Sequence, residues 1–305
     1  MLHIIANPAS SSGNGRKIWQ ETEKILKDKN IEYKLYETTA QYDAKRFAEE
    51  ITCDGSKDII VVIGGDGTLH EVFNGIKDFS NVTLGYIPSG SGGDFARDLN
   101  ISRDPMTALN AILSPKEFKL MDVGHVDNPE CSKNFAVSCG IGFNAAVGLE
   151  AGSSPLKKVL NKFKLGALTY TFIALKQIAG AKKNGCTLIL DDARKIHYDN
   201  FYFVVSMIHR YEGGGFMFCP DAKCDDGYVD VCVAGNINKI KILRILPTAY
   251  KGEHVKFKNI DTYRAKKVTV ISDTPLAIHT DGEYAGFQKE LTTTICDKKI
   301  RVIVR

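Results

Sequence analysis

The sequence predicts an α/β plus β fold: a Rossmann-like N-terminal domain with a parallel sheet, joined to a second, β-rich domain of the antiparallel sandwich type. Three observations predict it. Over roughly the first 90 residues apolar side chains alternate between strand and helix periods, as stacked βα units require. Three of the early apolar runs, 2–7, 58–63 and 82–88, are followed by a Gly- or Ser-rich loop that opens a helix. From about residue 120 the period drops to two, with Asp, Asn and Gly between the runs, which is the pattern of antiparallel sheet. At 305 residues the chain exceeds the usual single-domain size, so the change of period is placed at a domain boundary: 1–122, then 123–286.

The elements follow in order. LHIIAN (2–7) is a strand, NPASSSGNG (7–15) a loop, and Ile18, Trp19, Thr22, Ile25 and Leu26 the buried stripe of a helix. IEYKLYET (31–38) is a second strand, followed by a helix with Ala44, Phe47, Ala48 and Ile51. DIIVVI (58–63) is almost continuously apolar, as a central strand covered on both faces should be, and VTLGYIP (82–88) is a fourth strand. Asp104 caps a helix with Pro105 at its first position and Leu109, Ile112 and Leu113 on its apolar side. Short strands such as NFAVSCG (134–140), GYVDVCVAG (227–235) and LAIHTDGE (276–283) fill the second half, interrupted by helical insertions at about 154–182 and 238–251. TTTICDKKIRVIVR (292–305) predicts a hairpin around 297–299.

Composition narrows the function. Forty Lys plus Arg against 36 Asp plus Glu give a formal charge of +4, too mild to argue for nucleic acid but compatible with an anionic lipid or a nucleotide. The start lacks a secretion-signal pattern, and the longest apolar run, 165–181, is broken by Lys176 and Gln177, so a cytoplasmic protein without a membrane span is expected. The eight cysteines show neither a CxxC pair nor zinc-like spacing and fit reduced, mostly buried thiols.

GGDGT (64–68) carries the chemistry. Gly64, Gly65 and Gly67 let backbone N–H groups face an anion, and Thr68 with Glu71 has the spacing of a capping box, which predicts a helix starting at Thr68. Leu69, Val72, Phe73 and Ile76 would be its buried stripe, and its N-terminus would favour phosphate. An acid in that loop repels phosphate unless a cation or a hydroxyl stands between them, so Asp66 reads as a chemical group; the alternative is a tight turn in which Asp66 bonds loop amides. PSGSGGDFARDL (88–99), with Ser91 and Asp94 spaced as another capping box, and NPASSSGNGRK (7–17), with Arg16 and Lys17, are two more loops at strand ends. Loops at the carboxyl ends of neighbouring parallel strands flank one crevice.

Taken together, NPAS, GGDGT, PSGSGGDFAR, GGGFMFCPDAKCDDGYVDV and HTDGE occur in the order found in the diacylglycerol kinase catalytic-domain family, and the chain resembles its soluble bacterial lipid kinases over nearly its whole length. GGDGT alone is shared with NAD kinases. The resemblance implies the same two-domain fold, with a segment at about 287–305 returning to the first domain and ATP held in the cleft between the domains. It implies an ATP- and Mg²⁺-dependent lipid kinase whose substrate is diacylglycerol or a related lipid alcohol; the alternatives are an NAD kinase-like enzyme for a soluble alcohol and a non-catalytic nucleotide-binding regulator.

By position, the resemblance implies nucleotide contacts from Asn7, Thr38 (or its neighbour Thr39), Gly64, Gly65, Asp66, Gly67, Thr68, His70 and Ser91. It implies Mg²⁺ bound by the Asp226 carboxylate and the carbonyls of Lys223 and Tyr228; oxygen ligands in a DG turn suit a hard cation. It implies Glu283 as the general base, with Asp281 sharing that role and Asp66 competing for it. Asp94, Arg97 and Asp122 match charged positions of the family. The chain departs from the family pattern at Gly93, where a side-chain amide is usual, and at His70, where Asn is usual. Lys157, Lys158, Lys162 and Lys164 before an apolar stretch, and Lys182 and Lys183 after it, suit either peripheral contact with the inner membrane surface or a packed helix with solvated lysines. A homodimer is compatible with the sequence, which carries no signal on oligomeric state.

Overall fold

The structure is a computed structural model that describes residues 1–90, 93–142, 145, 180 and 183–305. The basic apolar segment at 153–183 lies outside the described residues except for Gly180 and Lys183. The chain divides into two compact units, Met1–Val123 with Cys296–Arg305, and Gly124–Ile295.

The first unit is built on a six-stranded sheet in the order β2 (Tyr33–Glu37), β1 (Leu2–Ala6), β3 (Asp58–Gly64), β4 (Val82–Pro88), β16 (Ile300–Ile303), β5 (Phe118–Met121). All neighbours are parallel except β16 and β5. Helices cover both faces, which is why β3 can be apolar on both of its sides. Ile18, Trp19 and Leu26 of α1 (Ser10–Asp28) and Leu109 and Ile112 of α5 (Pro105–Leu113) pack in one cluster with Ile4, Val61, Ile63 and Ile303. The remaining helices are α2 (Asp43–Ile51), α3 (Asp66–Phe73) and α4 (Asp94–Asp98). The Phe95 ring meets Phe73 edge-on at 6.1 Å and Tyr86 at 5.8 Å, tying α4 to α3 and β4. Burying each such apolar side chain stabilises the unit by about 1.5–3 kcal/mol. Asp104 accepts from Thr107 N at 2.8 Å and so caps α5 as expected.

The expected terminal hairpin does not form. β15 (Glu283–Ile295) stays in the sheet of the second unit, whereas β16 pairs parallel with β4 and antiparallel with β5. The return to the first unit therefore begins at Cys296, not at 287. Ile300 and Val302 are wholly buried in their slot between β4 and β5, and a terminal hairpin would offer them no such burial. Lys298 bonds Asp78 at 2.8 Å and Lys299 bonds the buried Asp122 at 2.9 Å, which fixes the entry to β16.

The second unit is a ten-stranded antiparallel sheet. Its strands are β6 (Gly124–Asn128), β7 (Cys131–Phe135), β8 (Ser138–Gly142), β9 (Cys186–Leu190), β10 (Arg194–Tyr198), β11 (Phe201–Met207), β12 (Val229–Gly235), β13 (Ile260–Ala265), β14 (Lys267–Thr280) and β15. The long β14 is its spine: Val268–Ser272 pairs with β9, while Ile278–Thr280 pairs with β8. Helix α6 (Lys239–Ile245) and the 3₁₀ turn Leu246–Lys251 occupy the expected insertion, with Asn238 as the N-cap of α6. Among the described residues no helix is long and apolar enough to cross a membrane.

None of the eight cysteines forms a disulfide. Burial pushes the thiols of Cys139 and Cys219 well above their usual range and that of Cys186 up to about 12, while Cys53 is exposed. Alkylation follows thiolate character and access. Iodoacetamide added to the native protein at pH 8 is therefore expected to label Cys53 and to leave Cys139, Cys186 and Cys219 unmodified until denaturant is present, as read by peptide mass spectrometry.

Candidate functional site

In the first unit the loops after β1, β3 and β4 leave adjacent strands at their carboxyl ends. The chain reverses its direction of winding between β1 and β3, the switch point where open α/β sheets bind ligands. Side chains staple these loops together. Asn7 Nδ2 donates to Thr68 Oγ1 at 2.9 Å across 61 positions, and the Ser10 and Ser89 hydroxyls meet at 2.7 Å. Asn7 also accepts from Ala9 N at 3.1 Å, so its amide is oriented from both sides. Beyond it, Ser11, Ser12 and Gly13 adopt positive φ in succession, and Gly13 N bonds Ala9 O at 3.3 Å, which breaks the start of α1 into a tight turn.

The GGDGT turn differs from expectation in one respect. Helix α3 starts at Asp66 with Gly65 as its N-cap, and Leu69 N bonds Gly65 O. Thr68 is therefore already in the first turn, and its hydroxyl is used by Asn7; Glu71 reaches instead to the amide of Ala44, at 3.2 Å. The spacing of a capping box was present, but long-range partners claimed both of its side chains. Gly64 is needed because a Cβ there would stand 2.6 Å from Thr68 Cβ. A Cβ on Gly90 would come within 3.1 Å of Gly65 Cα, so two loops touch backbone to backbone.

Asp66 answers part of the question its position raises. Its Oδ2 accepts from Gly93 N at 2.8 Å, binding the β3 loop to the β4 loop. Gly93, at φ +64, is the N-cap of α4, so the expected Ser91–Asp94 box is not what caps that helix; Ser91 itself lies outside the described residues. The charge of Asp66 is felt by Tyr86, whose hydroxyl donates to Gly64 O at 3.3 Å. Burial first, then Asp66, push that phenol well above its usual range, so it stays a neutral donor. Arg103, which sequence reasoning missed, brings cationic charge to the same place: its Nη2 lies 3.2 Å from the position a Cβ on Gly93 would take, and its charge acts on Tyr86. No local pattern marks it; only the fold brings the chain after α4 back to this loop.

The other expected nucleotide residues are distributed as follows. Thr38 N bonds Ala6 O at 2.9 Å and so stands at the carboxyl end of β2 beside β1. The hydroxyl of its neighbour Thr39 is taken by Asp43, at 3.0 Å. His70 is buried on α3, with Nε2 3.4 Å from Asn74 Nδ2. Asp94 pairs with Arg97 at 3.3 Å. The N-terminus of α3, among loops drawn together by these bonds, is the kind of place that favours a phosphate.

In the second unit Asp281 and Gly282 form a two-residue turn between β14 and β15, with φ of 51° and 83°, and Thr280 faces Glu283 across it. Both Asp281 oxygens accept from backbone amides: Oδ2 from Ala136 at 2.9 Å, Oδ1 from Val137 at 2.8 Å and Ser138 at 3.1 Å. Glu283 is exposed at the head of β15. Of the expected metal ligands, Lys223 and Tyr228 are exposed, and Asp226 Oδ1 accepts from Tyr228 N at 3.2 Å. The other Asp226 oxygen is paired with the Arg264 guanidinium, which also lies 3.9 Å from Asp230 and stacks 5.0 Å over the Tyr228 ring. With one carboxylate oxygen already paired with a guanidinium, these residues do not fit a divalent ion unless Arg264 is displaced. Sequence reasoning missed Arg264 because it comes from β13, across the sheet.

The sequence pattern of the diacylglycerol kinase catalytic domain matches residues 1–126, and that of the YegS C-terminal NAD kinase beta sandwich-like domain matches residues 141–304. The chain is 29% identical over 288 residues to the Bacillus subtilis protein named "Putative lipid kinase YtlR", covering 93% of both chains. It is 28% identical over 284 residues to a diacylglycerol kinase of Staphylococcus epidermidis, covering 93% of this chain and 85% of that one. A crystal structure of a diacylglycerol kinase from Bacillus anthracis shares the fold with a TM-score of 0.73 at 19% identity, covering 100% of this chain and 96% of the other. An Archaeoglobus fulgidus NAD kinase, crystallised in complex with ATP, shares it with a TM-score of 0.53 at 14% identity, covering 99% and 93%. The two loops after β3 and β4, the DG turns and these matches agree: the chain belongs to the diacylglycerol kinase catalytic-domain family, in the form that carries the YegS C-terminal domain.

Proposed function

We propose that this kinase transfers the γ-phosphoryl group of ATP to a hydroxyl of diacylglycerol or a related lipid alcohol. The observation that carries the reading is the stapled set of loops in the first unit, where Asn7–Thr68 and Asp66–Gly93 hold backbone amides around the N-terminus of α3. The names of its relatives support a lipid acceptor, and the ATP bound by the archaeal NAD kinase of the same fold supports ATP as donor.

In this reading the first unit holds the nucleotide. Gly64, Gly65, Gly67 and Thr68 face the phosphates with their amides, while Asn7 and Thr38 border the rest of the molecule. The second unit takes the lipid. Glu283 accepts the proton of the lipid hydroxyl, whose oxygen forms a bond to the γ-phosphorus as the bond to the β–γ bridging oxygen breaks and ADP leaves. Asp281 is spent on amides and positions the turn. Asp66 is the competing base. Mg²⁺ would belong to the nucleotide substrate, as its complex with ATP, and would balance the charge of the phosphates there. The place of work is the cytoplasmic face of a membrane, where such lipids are found.

With γ-labelled ATP and either a lipid extract or NAD as acceptor, label is expected in the organic phase only. Label appearing in NADP instead would select the NAD kinase-like alternative, and binding without turnover would select a silent regulator. Glu283→Gln is expected to lower kcat by about 10²–10⁴-fold, the usual worth of a general base, with little change in KM for ATP.

Asp66 combines a hydrogen bond with a charge, and two substitutions separate them. Asp66→Asn keeps an acceptor for Gly93 N, whereas Asp66→Ala removes it. Loss of turnover in both, with melting temperature close to wild type in the Asn variant, is expected if the charge is chemical. Retained turnover in Asp66→Asn removes Asp66 from the mechanism.

Because Arg264 already neutralises Asp226, thermal unfolding of the nucleotide-free protein is expected to be the same in EDTA as in millimolar Mg²⁺. Arg264→Met should lower the melting temperature and make it respond to Mg²⁺. A wild-type melting temperature that falls on chelation would restore a resident ion at Asp226.

A further inference from the structure

The turn that carries Glu283 is gripped by a buried pair: His279, the first residue of HTDGE, to which the family resemblance gives no role, and Glu212, which precedes the GGGF motif. His279 is the second-last residue of β14 and is 2% exposed. Its Nδ1 accepts from Gly282 N at 3.2 Å, and its Nε2 lies 3.2 Å from Glu212 Oε1. The two contacts determine the tautomer. A nitrogen that accepts an amide N–H carries no proton, so the proton of the neutral ring is on Nε2, where it is donated to the Glu212 carboxylate.

Glu212 is itself held rigidly. Its N and O exchange hydrogen bonds with Phe216 at 2.8 and 3.0 Å, closing a loop in which Gly213, Gly214 and Gly215 all have positive φ. That close turn leaves the Glu212 side chain with 12% of its area exposed, against His279. Burying a carboxylate and an imidazole is costly unless each satisfies the other, so the pair is stable in this one arrangement. A backbone clamp acts on the opposite side of the turn through Asp281, which accepts from the amides of Ala136, Val137 and Ser138. Gly282 N is held by His279 and the Asp281 side chain by β8 and the residues before it. Both turn residues before Glu283 are thus anchored, and Glu283 itself pairs with Thr280 across the turn.

We infer that His279 and Glu212 are positioning residues for the Glu283 carboxylate, acting through the Gly282 amide. The inference rests on the proposed role of Glu283 as base. A misplacement of about 1 Å at a reacting group costs on the order of 100-fold in rate, which sets the size of the effect.

The test combines kinetics with a spectroscopic signature. Glu212→Ala and His279→Gln, the latter lacking an acceptor at the place of Nδ1, are expected to lower kcat by about 10–100-fold with KM for ATP within about twofold. Glu212→Gln, which still accepts from Nε2, should recover most of the rate. In the wild-type protein, ¹⁵N NMR of the His279 ring at neutral pH should show a protonated Nε2 and an unprotonated Nδ1. An Nδ1-protonated ring overturns the inference even where a variant fails to fold. Full kcat in Glu212→Ala, beside an inactive Glu283→Gln, overturns the positioning role while leaving Glu283 as base. Undiminished turnover in Glu283→Gln removes both.

Discussion

The hydrogen bond from Asn7 to Thr68 is the constraint on which the first unit's site depends. Two parallel strands leave the sheet side by side at β1 and β3, and their backbone pairing runs on only to Asn7 N and Ile63 O, at 2.9 Å, so a side chain must determine how the loops beyond it meet. The Asn7 amide does so, because it is fixed by Ala9 N on one side and spends its donor on Thr68 on the other. Gly64 can lie beneath Thr68 only without a side chain, so the glycine and the hydrogen bond require each other. Asp66 extends the chain of constraints to the β4 loop through Gly93 N. The result is a set of three loops held together by their own side chains, and dipoles fixed in advance are the ones that stabilise charge best.

The second unit solves a different problem. An exposed carboxylate on a hairpin tip is a poor base if the tip moves, since each lost tenth of an ångström of placement weakens the transfer. Here β14 is shared by β15, β8 and β9, so the hairpin is not an isolated ribbon. Its two-residue turn has the positive φ angles that match the twist of the strands, and both turn residues have their polar groups engaged below the surface. Rigidity thus comes from buried groups, leaving Glu283 itself solvated.

Much of this architecture was legible in the sequence because it is local. The apolar runs at 58–63 and 82–88 identified central strands, and the Asp104-Pro105 pair identified the start of α5, since periods and caps are properties of neighbouring residues. The errors arise where a distant partner outbids a local one. Thr68 and Glu71 have capping-box spacing, yet Asn7 and Ala44 take their side chains. Residues 292–305 have hairpin spacing, yet burial between β4 and β5 draws the last strand into the other sheet. Arg103, Arg264 and Glu212 were missed for the same reason, since each acts on a residue distant in the chain; His279 stood within HTDGE, but its partner Glu212 lies far from it in sequence. Gly-rich loops announce where a site is, whereas the charges that tune it come from elsewhere.

The acids of this family's motifs consequently divide by what already satisfies them. Asp281 accepts three backbone N–H groups, and Asp226 faces a guanidinium and one amide; both are neutralised or solvated by the protein, which lowers their capacity to serve a substrate. Asp66 has a backbone amide on one oxygen and Arg103 bringing positive charge to the same loop. Glu283 stands at the solvent. A general base must give up its solvation easily and accept a proton from an incoming hydroxyl, and an acid already held by internal donors resists that step in proportion to their number. By that criterion the four carboxylates rank with Glu283 first and Asp281 last. Of the other three, Asp281 holds the turn beside Glu283, Asp66 ties the β3 and β4 loops together, and Asp226 is paired with Arg264.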